Sequence, residues 1–229
     1  MKTRKMRTNK FSFLQRVISY IYPLKLSLKK SAISGSLSLV LSNGVLQLET
    51  NKSIYSQGVK YGSFNKAFKF LKVEQQNFNN VLILGGGLCS IPQMLKYKFN
   101  QNANYTVIEL DHLVIQWANK YLETSLLQQC RFIEGDAFKV IEVLKDNYDL
   151  ICIDLYIDDI VPSKALESAF LKTLETLMLC KNSYLVFSLM ESARLSSCDI
   201  DNYYKNIFQQ CFPTARLLKT KGNVILTNR

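Results

Sequence analysis

Acidic side chains are missing from the first 30 residues of this 229-residue chain, whereas nine Lys and Arg stand there. They are Lys2, Arg4, Lys5, Arg7, Lys10, Arg16, Lys25, Lys29 and Lys30. The formal net charge is +11, yet the remaining 199 residues carry 20 basic and 18 acidic side chains. The basicity therefore belongs to the N-terminal segment, and the main body is nearly neutral. Histidine is reduced to His112, which excludes a histidine-rich metal site and is expected on a helix face. The six cysteines (Cys89, Cys130, Cys152, Cys180, Cys198, Cys211) are scattered and form no C-x-x-C. That spacing argues against zinc or a disulfide framework and predicts reduced, buried thiols in a cytoplasmic protein. No apolar run reaches the 18 residues of a spanning helix. No clean apolar stretch with a small-residue cleavage site follows the charges, so a secretory signal is not expected. An organelle transit peptide shares the acid-free, amphipathic character and stays open.

What the basic segment does contain is Phe11, Leu14, Ile18 and Ile21 at helical spacing, ended by Pro23. A basic amphipathic helix fits an anionic membrane surface or nucleic acid. The other reading is a tail whose apolar stripe docks on its own domain. Peripheral contact with a membrane and a homodimer are both open arrangements for an otherwise cytoplasmic chain.

Residues 31–62 read as a small β-hairpin unit. Leu37–Leu41 is strand-like, Asn43-Gly44 is a hairpin turn signal, and Val45–Leu48 returns. Ser53–Tyr55 adds a third short strand, and Ser63 is placed to cap a helix through Phe64, Ala67, Phe68 and Leu71. From there to residue 229 the pattern alternates. Strands are expected near 80–85, 104–109, 130–134, 148–154 and 182–189. Helices are expected near 89–98, 111–122, 137–145, 163–179 and 200–211. Such alternation predicts an α/β fold, a Rossmann-like doubly wound and mostly parallel sheet. The runs Ala215–Leu218 and Val224–Thr227 would close it with a C-terminal antiparallel hairpin.

The most informative stretch is Val81–Leu84 running into Gly85, Gly86 and Gly87 ahead of a helix. Glycines let the backbone turn tightly and approach a ligand, and the helix end offers free N–H groups. The match to G-x-G-x-x-G is partial, because Ser90 stands where the third glycine belongs. The next strand, Tyr105–Ile108, ends in Glu109. An acid there, about 20 residues beyond the glycines, is placed to grip a ribose hydroxyl pair. A carboxylate suits this because it only accepts hydrogen bonds.

Ligands bind at the carboxyl ends of such strands. Those ends carry Gly85–Gly87, then Glu109-Leu110-Asp111, then Gly135-Asp136-Ala137, then Asp154 after Tyr148–Ile153. The loop 155–162 adds Tyr156, Asp158 and Asp159. Asp111 and Asp136 are also natural N-caps for the helices that follow them. Asp154 follows an apolar strand and needs a partner, which a cationic ligand would supply. Trp117 reads as core packing.

Leu82–Ser90, Val107–Asp111, Gly135–Ala137 and Tyr148–Asp154 together resemble the successive motifs of class I S-adenosylmethionine-dependent methyltransferases. The closer resemblance is to their spermidine synthase (polyamine aminopropyltransferase) branch, over about residues 35–190. The helix Val114–Tyr121, the Gly-Asp-Ala and the loop Asp154–Pro162 carry it. The resemblance implies S-adenosylmethionine or its decarboxylated form as cofactor, no metal, and an amine-type acceptor. Gly85, Gly86 and Gly87 would pass beneath the amino acid or aminopropyl part, Glu109 would hold the ribose hydroxyls and Asp136 would contact the adenine amino group. Leu110 and Ala137 would also bind the cofactor. Asp154 would orient and deprotonate the attacking amine, assisted by Asp158 or Asp159. Tyr55, Gln57, Tyr156 and Asp159 would meet the acceptor.

The chain departs from the family pattern at three places. Leu88 stands where an Asp usually follows the glycines, and Tyr-His-Glu becomes Tyr55-Ser56-Gln57. Asp-x-x-Asp-Pro becomes Asp154-Leu155-Tyr156-Ile157-Asp158, one residue longer and without the proline. A diamine dication wants several carboxylates around it, so polyamine specificity is not carried over with the motif. A methyltransferase of unrelated acceptor specificity is the alternative. So is a non-catalytic module of the same fold that works through its basic arm.

Overall fold

The computed structural model describes residues 10–50, 53–220 and 222–229. Residues 1–9 of the basic arm lie outside them.

The first element, α1 (Phe13–Ile18), is capped by Ser12, whose side chain accepts from Gln15 N while Gln15 returns a bond to the Ser12 backbone. The chain then enters β1 (Leu24–Ser31), β2 (Gly35–Ser42), β3 (Val45–Glu49) and β4 (Ile54–Ser56), an antiparallel sheet in that order. The β-unit thus starts at Leu24 rather than near residue 31, and has four strands. Leu24, Leu26 and Leu28 alternate with polar residues, a period-2 pattern hidden inside a segment that reads first by its charge. The β2–β3 turn is built as its residues require, with Asn43 and Gly44 both at positive φ (51° and 72°).

A seven-stranded sheet follows, in the spatial order β10-β11-β9-β8-β5-β6-β7. Its central members are β5 (Asn80–Leu84), β6 (Asn104–Glu109), β7 (Cys130–Glu134), β8 (Leu150–Ile153) and β9 (Tyr184–Met190), all parallel. β10 (Arg216–Lys219) and β11 (Asn223–Thr227) form the terminal hairpin, which inserts β11 antiparallel against β9. The interposed helices are α2 (Gly62–Phe70), α3 (Ser90–Lys98), α4 (His112–Tyr121), α5 (Thr124–Leu127), α6 (Ala137–Val140), α7 (Ser168–Thr176), α8 (Ser197–Tyr203) and α9 (Gln209–Cys211). Alternate residues of β5 face opposite cores. Leu82 and Leu84 pack with Phe170, Leu174 and Phe208, whereas Val81 and Ile83 pack with Phe64, Phe68 and Met94.

Several elements differ from the sequence reading. Tyr61, not Ser63, occupies the N-cap of α2, and no side chain caps it. The helix expected over 137–145 stops at Val140, and that over 163–179 splits into a 3-10 turn (Ser163–Leu166) and α7. Between α8 and α9 the chain makes a π-turn, Tyr204–Phe208. Of the thiols, Cys89 and Cys152 are buried, but Cys180 and Cys198 are exposed.

The small sheet joins the large one through a separate apolar cluster. Leu37, Leu39 and Leu48 pack on Leu88, Val114 and Trp117, which makes Trp117 core as its position on α4 predicts. Asp111 fastens the same junction. Its Oδ1 accepts from Leu113 N (3.0 Å), the N-cap bond. Its Oδ2 accepts from the Ser31 and Ser34 hydroxyls of the β1–β2 hairpin. Asp111 is 3% exposed, so losing it strands both hydroxyls as well as the cap. Asp111→Ala is expected to cost about 2–4 kcal/mol, and Asp111→Asn less, in urea unfolding.

Candidate active site

β5 is flanked by β6 on one side and β8 on the other, so the chain reverses its direction of winding there. A cavity of about 460 Å³ opens at the carboxyl ends of these strands. Tyr55, Gly85, Gly87, Glu109, Leu110, Asp136, Ala137, Asp154, Tyr156 and Asp158 all line it. All ten belong to the motifs singled out in the sequence. Gly86, Gln57 and Asp159 are not on its wall. Gln57 instead donates its backbone N–H to Ser90 Oγ (2.9 Å).

The glycine turn is held at both sides. Gly85 has φ +87°, and a Cβ there would sit 2.2 Å from the Asp154 carbonyl oxygen. Gly86 and Gly87 donate their N–H groups to Glu109 Oε2 at 3.0 and 2.9 Å. Glu109 Oε1 accepts from Asp111 N at 3.0 Å. The acid at the end of β6 is therefore oriented by the turn beside it, with lone-pair capacity remaining for hydroxyl donors. Burial raises the Glu109 pKa, and these three N–H bonds pull against that rise.

Asp154 sits at the end of β8, next to Gly85. Tyr61 donates its hydroxyl to Asp154 Oδ1 at 3.0 Å. Burial pushes the carboxyl up to about 7, against the bonds from Tyr61 and Ser188, and the charge of Glu109 adds to the rise. Two acids raised by desolvation, Asp154 also by the charge of Glu109, face one cavity. A cationic ligand would relieve both. Tyr61 itself was invisible in the sequence, since no motif marks it and it reaches the site only through the turn before α2.

Asp136 is the N-cap of α6, accepting from Phe138 N at 2.9 Å, and lines the cavity beside Ala137. On the opposite wall, β4 straps the loop after β8. Tyr55 accepts a hydrogen bond from Asp158 N, and Ser53 Oγ donates to the Asp158 carbonyl (3.2 Å). Asp158 is thereby held at φ 57°, in the left-handed region. Burial pushes the Tyr55 phenol up to about 12, so it stays protonated. Tyr156 turns its hydroxyl to the Ser188 carbonyl (2.6 Å).

Two of the departures from the family pattern, Ser56 and Leu88, meet in space: Ser56 Oγ accepts from Leu88 N (3.1 Å) and lies 2.6 Å from Ser90 Oγ. This buried pair ties β4 to the glycine turn. The Leu88 side chain is buried among Leu37, Leu39 and Trp117 and supplies no charge to the cavity.

Comparison with known proteins identifies the family and the fold. Residues 68–225 match the model of the spermine/spermidine synthase domain. A polyamine aminopropyltransferase of Saccharolobus islandicus (strain Y.N.15.51 / Yellowstone #2) is 39% identical over 82 residues, 33% of this chain and 27% of that protein. The polyamine aminopropyltransferase of Sulfurisphaera tokodaii is 27% identical over 124 residues, 52% of this chain and 38% of that one. The matches thus span well under half the length of these curated relatives. Among solved structures, a spermidine synthase in complex with the transition state analogue AdoDATO superposes with a TM-score of 0.63 at 16% identity, covering 89% of this chain and 72% of that chain. Human methyltransferase-like protein 13 in complex with SAH gives 0.58 at 15% identity, covering 72% of this chain and 81% of that chain. At these identities the likeness is one of fold.

Proposed function

Because the chain belongs to the spermine/spermidine synthase domain family, we propose that it is a transferase that uses S-adenosylmethionine or decarboxylated S-adenosylmethionine and alkylates an amine. One observation carries this reading: Glu109 and Asp154, both with raised pKa, flank the glycine turn on one cavity wall. The residues fit such a cofactor. Glu109, already oriented by Gly86 and Gly87, would take the ribose hydroxyls, and Gly85 and Gly87 leave room for the chain that ends in the sulfonium. Leu110, Asp136 and Ala137 would bound the adenine. The bound sulfonium supplies an electrophilic carbon. Asp154 would accept the amine proton, with Tyr61 fixing its orientation, while Tyr55 and Asp158 define the acceptor side. The chain's contribution is proximity, alignment and one base.

The acceptor side is less acidic than a diamine would ask for. The aliphatic side chains of Ile54 and Ile157 are about half exposed and line the cavity there, at 47% and 48%. Leu88 brings no carboxylate. These features favour an amine carrying an apolar body over a short dication. Methyl transfer rather than aminopropyl transfer is equally compatible with the cofactor end, so the donor is decided by titration.

Calorimetric titration with the two sulfonium compounds tests the proposal. One of them is expected to bind, and Glu109→Gln should weaken it about 10- to 100-fold, since charged hydrogen bonds to the ribose are lost. If neither compound binds at millimolar concentration, the cofactor reading is wrong.

A further inference from the structure

Of the 15 large hydrophobic side chains that are exposed among the described residues, eight lie between residues 13 and 28. Phe13 is 83% exposed, Leu14 66%, Ile21 86% and Tyr22 69%. Residues 10–30 hold Lys10, Arg16, Lys25, Lys29 and Lys30, and the first acid of the whole chain is Glu49. We propose that residues 10–30 form a docking face for an anionic lipid bilayer. This inference does not depend on the catalytic reading.

The apolar side chains point outward because the inner contacts of the segment are already made. Phe11, one member of the helical stripe, stacks on Tyr121 of α4 (ring centroids 6.0 Å apart). Lys10 donates to the carbonyls of Lys120 and Leu122 at the C-terminal end of α4. At the other end, Ser19 is buried and holds the β2–β3 turn, its Oγ accepting from Gly44 N (2.9 Å) and its carbonyl from Asn43 N (2.7 Å). With both ends fixed, Phe13, Leu14, Val17 and Ile18 remain on the solvent side of α1. The stripe therefore does not fold back onto the domain, apart from Phe11.

The combination selects the partner. Exposed aliphatic and aromatic side chains in an acid-free segment with several cations are the features of an interfacial segment that seats its apolar side among acyl chains and its lysines among headgroups. A nucleic-acid phosphate backbone would use the lysines but give Phe13, Leu14 and Ile21 no apolar surface. A second copy of the chain, meeting this patch with the same patch, would bring like charges together without an acid between them. The longest helices here do not cross a bilayer: among the described residues none is long and apolar enough.

Cosedimentation of the full chain with vesicles tests the proposal. The lipids are phosphatidylcholine alone and phosphatidylcholine mixed with phosphatidylglycerol. Binding is expected to the anionic vesicles and to weaken as salt rises. Lys25→Glu with Lys29→Glu, and separately Phe13→Glu with Ile21→Glu, should each lower the partition coefficient about tenfold or more. Phe13→Ser with Ile21→Ser checks the apolar contribution without added charge. These side chains are exposed, so urea midpoints should stay within those of the parent. Absence of binding to anionic vesicles overturns the proposal, as does binding that the Phe13/Ile21 pairs leave unchanged. Tight binding to duplex DNA in place of vesicles would assign the face to nucleic acid. A dimer abolished by the same pairs, with no vesicle binding, would assign it to a second copy.

Discussion

Asp154→Asn is expected to abolish turnover, by about 10²- to 10⁴-fold in kcat, while the cofactor still binds. The amide keeps the shape and the Tyr61 contact but cannot take a proton. In the parent protein, the carboxyl pushed up to about 7 places the acid limb of kcat/KM near that pH, with activity rising as the carboxylate forms. Tyr61→Phe removes a bond that holds this pKa down, so the limb should move to higher pH. The asparagine variant also carries its own folding control. Between the ordinary carboxylate range and about 7 the folded state holds a proton that the unfolded chain has released, so stability falls as pH rises through that window. Above it the parent bears a buried charge that the amide lacks. Asp154→Asn should therefore be more stable than the parent at pH 8, by no more than about 4 kcal/mol. An inactive variant with a raised unfolding midpoint identifies lost chemistry. A fully active one removes Asp154 from the role of base.

What could be read from the sequence was local. Gly85–Gly87, Glu109, Asp136 and Asp154 were legible because each lies where an apolar strand stops, and such ends share one edge in a parallel sheet. Asp111 was legible as an N-cap, since that bond runs to its own neighbour Leu113. Its second task, accepting from Ser31 and Ser34, depends on a hairpin about 80 residues away and has no sequence signature. Tyr61 and the Ser56–Ser90 pair were hidden for the same reason. The pair exists only once the four-stranded unit packs on the large domain through Leu37, Leu39 and Leu88, and Tyr61 meets Asp154 only once α2 packs on the sheet. The helix expected over 137–145 ends at Val140, with Ile141 as its C-cap.

Gly85→Ala should be the most damaging single-carbon change at the site, and its cost can be separated into two causes. Gly85 and Gly222 have nearly the same φ, +87° and +85°. An alanine at either is strained by the left-handed backbone, which costs about 1–2 kcal/mol. Around Gly222 nothing lies within 4 Å of a new Cβ. At Gly85 the Cβ would fall 2.2 Å from the carbonyl oxygen and 2.8 Å from the carbonyl carbon of Asp154. Those atoms are backbone at the end of β8, and Asp154 N already donates to Leu84 O (2.8 Å), so the neighbour cannot rotate away. Relief requires β5 and β8 to part at their ends, adding about 2–3 kcal/mol of overpacking to the shared strain. Urea unfolding should thus place Gly222→Ala about 1–2 kcal/mol below the parent and Gly85→Ala about 3–5 kcal/mol below it. Equal losses in the two variants would mean that the glycine is there for its dihedral angles alone, and that β5 and β8 do not close on one another as tightly as the site requires.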